Sequence, residues 1–316
     1  MNPDLFRADL EHKPEVLAHL ASALRSGDPW AGSGIGEQTR IVMLGMGSSH
    51  YANAVAAARL RSHGVDAVAE LASTDLLPQV RPGTVVVAVS ASGGSAETLD
   101  AVARYSGQCP IVAMTNVAGS TVTHDAAHVV DMLADAEEGG VACRSFQHTL
   151  ALWLDLESRL VGSVDAPAIV ERSAQASADL LDSRERWLPS FTAAAIGPQG
   201  THLVAPVRRL SSAQQGALML REAPRLPAVA CETGDWSHVD VYLTKTTDYR
   251  LVLFAGSRWE PELLRWVAER GSTLVCVGGE AEGATMSVRF DGDDDDDVRL
   301  LTEVLVPELL AASLWA

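Results

Sequence analysis

Two short apolar runs each break off into a glycine- and serine-rich loop and then into a helix-forming stretch. The first is Ile41-Val42-Met43-Leu44, stopped by Gly45 and followed by Met46-Gly47-Ser48-Ser49-His50. The second is Thr84-Val85-Val86-Val87-Ala88-Val89, followed by Ser90-Ala91-Ser92-Gly93-Gly94-Ser95 and the helix pattern of residues 96–105. A brief aliphatic run with no polar alternation is what a strand buried on both faces looks like. A helix between two such strands returns the chain for parallel pairing, whereas an antiparallel pair needs only a tight turn. The chain is therefore expected to be α/β, with doubly wound parallel sheets flanked by helices.

The same alternation continues. Helices are expected over 14–25, 50–63, about 145–163, 167–188, 211–222, 260–270 and 298–315. Strands are expected at 65–68, 110–114, 128–132, 250–256 and 273–277, with two short apolar runs between Ala193 and Val207. Two similar halves result, and we expect domains over 1–165 and 166–316.

Composition narrows the function classes. Lys and Arg number 24 against 41 Asp and Glu, a net charge of −17 over 316 residues. Such a surface repels phosphate backbones, so nucleic acid is not an expected partner. No apolar stretch reaches 18 residues, so no membrane span is expected. The N-terminus is charged from Asp4 onward and lacks a signal-peptide core. The four cysteines, Cys109, Cys143, Cys231 and Cys276, form no CxxC pair, so a reduced, cytoplasmic protein without disulfides or structural zinc is expected. His124 and His128 are spaced i, i+4, but a third ligand is absent from the pattern, so no metal or other cofactor is expected. The acidic run Asp291–Asp297 lacks the spacing of a calcium loop and reads as a solvated loop.

In open α/β sheets, ligands bind beyond the carboxyl ends of the strands, where both Gly/Ser loops sit. Glycine permits close backbone approach. Hydroxyls and the amides of a helix N-terminus suit an anionic phosphate, and they need no lysine. Either loop alone is equally a turn that caps a helix. His50 occupies the sixth position, where a dinucleotide fingerprint has glycine, and no GKS or GKT follows. Two such loops after successive strands favour a small phosphorylated ligand over a dinucleotide.

These residues carry a resemblance. Gly45 to Ser49 and Val89 to Ser95 resemble the phosphate loops of the sugar isomerase (SIS) domain. Thr115-Asn116-Val117-Ala118-Gly119-Ser120 resembles its TN-x-x-G-S exit, and Glu138 to Cys143 its E-x-G-V-A-S loop. The N-terminal Phe6 to Pro14 is similar to the segment that opens the isomerase half of glucosamine-6-phosphate synthase. In the second half, Gln215 to Glu222 resembles E-G-A-L-K-L-K-E, and Gly234 to His238 resembles G-E-L-K-H. The resemblance implies phosphate contacts from Ser49, Ser90, Ser92 and Ser95, with Ser48 adjacent, and sugar contacts from Val141 and Cys143. It implies Glu222 as the base that moves a proton at sugar C1/C2, and His238 as a ring-opening residue supplied by the neighbouring subunit of a homodimer.

The pattern also departs from that family. Ala91 replaces a glutamine, Gly94 a glutamate and Ser95 a threonine. Met219 and Ser145 stand where the family has lysines, Cys143 replaces a serine, and Asp235 takes a glutamate position. The lysine-bearing C-terminal tail and the amidotransferase half are not part of this sequence, so glutamine-driven synthesis is not expected. The resulting expectation is an enzyme acting on a hexosamine 6-phosphate, glucosamine 6-phosphate or its N-acetyl form, by C2-proton abstraction of the isomerase/deaminase type. The alternatives are a SIS-type lyase that eliminates water across C2–C3 of N-acetylglucosamine 6-phosphate, and a non-catalytic phosphosugar sensor. A sensor with its own DNA-binding segment is not expected, because about 13 residues precede the first expected helix and the net charge is −17.

Overall fold

The computed structural model describes residues 1–162 and 164–315. Ser163, the expected end of the helix over 145–163, and Ala316 lie outside the described residues. Two compact units are present. One comprises residues 15–137 and 142–171; the other comprises 1–14, 138–141 and 172 onward.

The chain opens with α1 (Pro3–Glu11) and α2 (Lys13–Ser26). The elements that follow are β1 (Arg40–Gly45), α3 (Gly47–Ser62), β2 (Ala67–Leu71), β3 (Thr84–Val89), α4 (Ala96–Tyr105), β4 (Ile111–Thr115), β5 (His128–Asp131), α5 (Arg144–Val161) and α6 (Ala166–Ala195). Their strands form one parallel sheet in the order β2-β1-β3-β4-β5. All six residues of β3 are buried, as the unbroken aliphatic run requires.

The second unit contains β6 (Thr201–Ala205), α7 (Leu210–Glu222), β7 (Ala228–Glu232), the single turn α8 (Thr233–Trp236), β8 (Arg250–Phe254), α9 (Glu260–Arg270), β9 (Thr273–Val277), β10 (Met286–Val288), α10 (Asp296–Thr302) and α11 (Leu305–Leu314). Its parallel sheet runs β7-β6-β8-β9-β10, the same order as the first. The expected α/β class with two doubly wound parallel sheets is what the chain forms. Strand order reverses at β1/β3 in one sheet and at β6/β8 in the other, and each reversal opens a crevice at the carboxyl edge.

Several local expectations shift, each for a physical reason. The segment before residue 14 is not free chain but helix α1. Asn2 caps it, its Oδ1 accepting the Asp4 and Leu5 amides at 3.0 and 3.1 Å. Phe6 and Leu10 are fully buried, worth about 2–3 kcal/mol each. Asp9 accepts the Gly139 amide at 2.7 Å, and a Cβ on Gly139 would lie 2.5 Å from the Phe6 Cα. These contacts gather residues 1–14 and 138–141 into the second unit.

The terminal helix expected over 298–315 is two helices. Pro307 lacks an amide and its ring collides with the carbonyl four residues back, so the chain breaks after Thr302 and Pro307 falls in the first turn of α11. The acidic run is not a solvated loop either. Asp295 caps α10, accepting the Asp297 amide at 2.9 Å, and pairs with Arg172 at 2.8 Å. Asp293 binds Arg289 at 2.7 Å, and Asp296 pairs with Arg208.

Candidate functional site

The register of β1 and β3 places the two Gly/Ser loops side by side. Leu44 pairs with Ala88, so Gly45 and Val89 leave the sheet at the same height, and neighbouring strands lie about 5 Å apart. On the first loop, a Cβ on Gly45 would meet the Ser49 Cβ at 2.9 Å and the His50 amide at 3.1 Å. Glycine there lets α3 start directly against the strand end. Met46 is extended, and its carbonyl accepts the Ser49 amide at 3.1 Å. Ser48 and Ser49 are half-buried at this helix start. His50 follows them. Burial lowers its imidazole below the ordinary histidine range, against the opposing pull of Glu70.

On the second loop, Ser90 is buried and its amide donates to the Met114 carbonyl at 3.0 Å. The Gly93 amide closes a turn onto the Ser90 carbonyl at 3.0 Å. Ser92 is exposed, and its hydroxyl accepts the Gly94 amide at 3.4 Å. Ser95 caps α4, accepting the Thr98 amide at 3.5 Å and donating to Glu97 at 3.0 Å. Ser48, Ser49, Ser90, Ser92 and Ser95 are thus brought to one edge of one sheet. A phosphate set there meets hydroxyls, backbone amides and two helix N-termini.

The exit of β4 braces the second loop. The Thr115 hydroxyl donates to the Ala91 carbonyl at 3.3 Å, the Asn116 amide donates to the same oxygen at 3.1 Å, and the Val122 amide donates to the Gly93 carbonyl at 3.0 Å. Asn116 in turn reaches the next connection. Its Nδ2 donates to the Asp135 carbonyl at 2.6 Å, and its Oδ1 accepts the Ala134 amide at 2.9 Å.

Glu137 supplies a feature that sequence reasoning missed. Its carboxylate accepts the amides of Cys143, Arg144 and Ser145 at 2.6, 2.7 and 3.2 Å, and the Ser145 hydroxyl at 2.6 Å. It caps α5 from six residues upstream, a spacing outside ordinary capping patterns. Ser145, which replaces a family lysine, is spent on this cap. Cys143 is fully buried and Val141 is 1% exposed. Neither side chain reaches the surface of the described chain.

The second sheet has the same crevice, filled differently. Glu260 Oε1 accepts the Ser257 amide at 2.7 Å and also the Gly256 amide. Arg208 and Arg209 reach the same place and are taken up by Asp296 and, for Arg209, by Glu303. Carboxylates of the chain itself thus take up the loop amides and both arginines here.

Glu222 and His238 stand on this second sheet, at opposite edges. Glu222 is the last residue of α7, which returns from the carboxyl edge to the amino edge. There the Thr201 amide at the start of β6 donates to the Pro227 carbonyl at 3.1 Å. His238 follows β7 and α8 at the carboxyl edge, where Ala205 pairs with Glu232. The length of a strand, about 15 Å, separates the two edges. Glu222 is half-buried and makes no hydrogen bond or ion pair among the described residues. Burial raises its carboxyl above the ordinary range, against the opposing charge of Arg221. The negative end of the α7 dipole acts in the same direction. His238 is exposed, its amide donating to the Asp235 carbonyl at 2.8 Å. Met219, at a family lysine position, is fully buried in the core.

Among the described residues, no cluster of three or more His, Cys, Asp or Glu could hold a metal ion. His128 is engaged elsewhere, its Nε2 donating to the Pro29 carbonyl at 2.7 Å. No described helix is long and apolar enough to cross a membrane.

Comparison with known proteins places this geometry. Residues 34–154 match the profile of the SIS domain, a span that contains both Gly/Ser loops and their brace. A curated relative, the glutamine–fructose-6-phosphate aminotransferase (isomerizing) of Methanosarcina acetivorans, is 30% identical over 217 residues, covering 63% of this chain and 34% of that protein. The chain thus spans about a third of that relative's length. The C-terminal domain of glucosamine-fructose-6-phosphate aminotransferase from Francisella tularensis superimposes with a TM-score of 0.82 at 18% identity, over 99% of this chain and 97% of that one. Glucosamine-6-phosphate deaminase from Thermotoga maritima does so with a TM-score of 0.74 at 15% identity, over 98% of this chain and 93% of that one. These two likenesses establish the fold. The loops, the strand order and the profile agree: residues 34–154 belong to the SIS domain family.

Proposed function

We propose that the chain is an enzyme acting on a hexosamine 6-phosphate by abstraction of the C2 proton, an isomerase/deaminase. The observation that carries this reading is the Glu222 carboxyl. It is half-buried, raised above the ordinary range by burial, and unengaged among the described residues, which are the properties of a general base kept available for a substrate proton. The names of the similar proteins, glutamine–fructose-6-phosphate aminotransferase and glucosamine-6-phosphate deaminase, point to the same substrate class.

In this reading the loops bearing Ser48, Ser49, Ser90, Ser92 and Ser95 hold the 6-phosphate, and the backbone around Val141 and Cys143 borders the sugar. His238 assists ring opening to the aldehyde, whose carbonyl acidifies the C2–H bond. Glu222 takes the C2 proton and leaves a C1–C2 enolamine. Protonation at C1 gives the 2-imine, and water adds at C2 and expels ammonia, leaving fructose 6-phosphate. Because Glu222 and His238 occupy opposite edges of one sheet, a single substrate draws them from two copies of the chain, which supports a homodimer with shared active sites.

Proton NMR in D₂O with glucosamine 6-phosphate, and separately with its N-acetyl form, tests the reaction. Deuterium at C2 of the recovered amino sugar and at C1 of the fructose 6-phosphate product, with ammonia released, is the expected outcome. A vinylic proton from the acetylated sugar would replace this reaction with C2–C3 elimination. Binding without any exchange would replace it with phosphosugar sensing.

A further inference from the structure

His238 lies in a turn whose two flanks are tied to one buried polar cluster. Trp236, two residues before it, is fully buried and its Nε1 donates to the Tyr249 hydroxyl at 2.8 Å. The Tyr249 hydroxyl donates to Asp240 Oδ2 at 3.4 Å, and His202 Nδ1 donates to the same oxygen at 3.3 Å. Asp240 lies two residues after His238. The His202 and Tyr249 rings stack with centroids 4.1 Å apart, which fixes both donors against strands β6 and β8. These bonds join Trp236, Tyr249, His202 and Asp240 into one connected buried network, in which each bond supports the next. Backbone bonds from the His238 and Val239 amides to the Asp235 carbonyl, at 2.8 and 3.1 Å, close the turn, while its Val239 and Tyr242 side chains are 53% and 63% exposed.

We infer that Asp240 is a positioning residue, which through Tyr249, Trp236 and His202 fixes the direction in which the turn presents His238. The inference rests on the role given to His238 in the proposed reaction. The Cys231 thiol and the Tyr249 hydroxyl both keep their protons beside Asp240. Burial first, then the charges of Asp240 and neighbouring acids, push the Cys231 thiol up to about 12. Burial likewise raises the Tyr249 hydroxyl, which keeps its proton to donate.

Asp240→Asn and Tyr249→Phe test it, with the His238 imidazole signal assigned by loss in His238→Gln. Tyr249→Phe keeps the ring and its stacking and removes only the hydroxyl that joins Trp236 to Asp240. Both variants are expected to lower kcat about 10- to 100-fold, with KM changed less than about twofold, because a small misplacement penalises the chemical step more than binding. The His238 imidazole signal is expected to move toward that of a disordered histidine and broaden. An unchanged His238 signal with unchanged kcat in either folded variant overturns the inference. If the wild-type protein turns over no phosphosugar, the proposed function fails, and the imidazole signal alone still decides whether Asp240 holds the turn. Should Asp240→Asn not fold, Tyr249→Phe carries the test.

Discussion

A β-carbon on Gly93 would lie 1.9 Å from the Ser120 hydroxyl oxygen. Gly93 has φ +66°, so the position excludes a side chain both sterically and conformationally. The two residues sit on the exits of adjacent strands and lock the second phosphate loop against its brace. Gly93→Ala is therefore expected to cost about 1–3 kcal/mol of stability and to displace the loop. Calorimetric titration should then show phosphosugar affinity reduced at least about tenfold, as the loss of charge-assisted hydrogen bonds implies. Native affinity in a folded variant would remove this loop from the binding site.

Ser92 and Ser95 separate binding from stability. Ser92 is exposed and makes one long contact, so Ser92→Ala should leave stability within about 0.5 kcal/mol. Its hydroxyl faces solvent at the loop, and its loss should weaken phosphosugar binding about tenfold. Ser95→Ala removes the cap of α4 as well, costing about 1 kcal/mol. Denaturant titration beside calorimetry reads both quantities for each variant.

The Lys13–Glu308 ion pair is completely buried. Lys13→Met removes the buried cation that pairs with the Glu308 carboxylate and should destabilise by about 3–5 kcal/mol. Replacing both residues, Lys13→Met with Glu308→Leu, should recover most of the loss. Urea unfolding of the single and double variants measures the difference. Equal destabilisation by the two would show that packing, not charge, governs the site.

Glu222 links catalysis to stability. Burial raises its folded pKa above the unfolded value, so the folded state binds the proton more tightly. The stability linked to that proton is fully present below the unfolded pKa and is lost as pH rises through the folded pKa. Glu222→Gln removes a charge that is costly only when ionised. The variant should therefore melt above the wild type at pH 8 and gain less at pH 4. The acid limb of kcat/KM in the wild type should fall above the ordinary carboxylate range. Thermal scans at the two pH values and a pH–rate profile read these effects.

The unbroken runs Ile41–Leu44 and Thr84–Val89 revealed the parallel sheet because strands buried on both faces carry no polar residues. Strand β7 escaped notice because it lies at a sheet edge with only Ala228 buried, and β10 because it has three residues. Helix α1 was hidden by its charges, since Phe6 and Leu10 are its only buried apolar side chains. The serine loops were legible because glycine and hydroxyls cluster locally. The Glu137 cap and the Asp240 cluster were not, because their partners come from distant positions that only the fold brings together.

In the proposed reaction Glu222 moves a substrate proton. Calorimetric affinity and C2 hydrogen exchange in D₂O, measured on wild type and Glu222→Gln with glucosamine 6-phosphate, test it most directly. Equal affinity is expected, with exchange slowed by about 10²–10⁴-fold in the variant. Exchange at the wild-type rate in Glu222→Gln would contradict it.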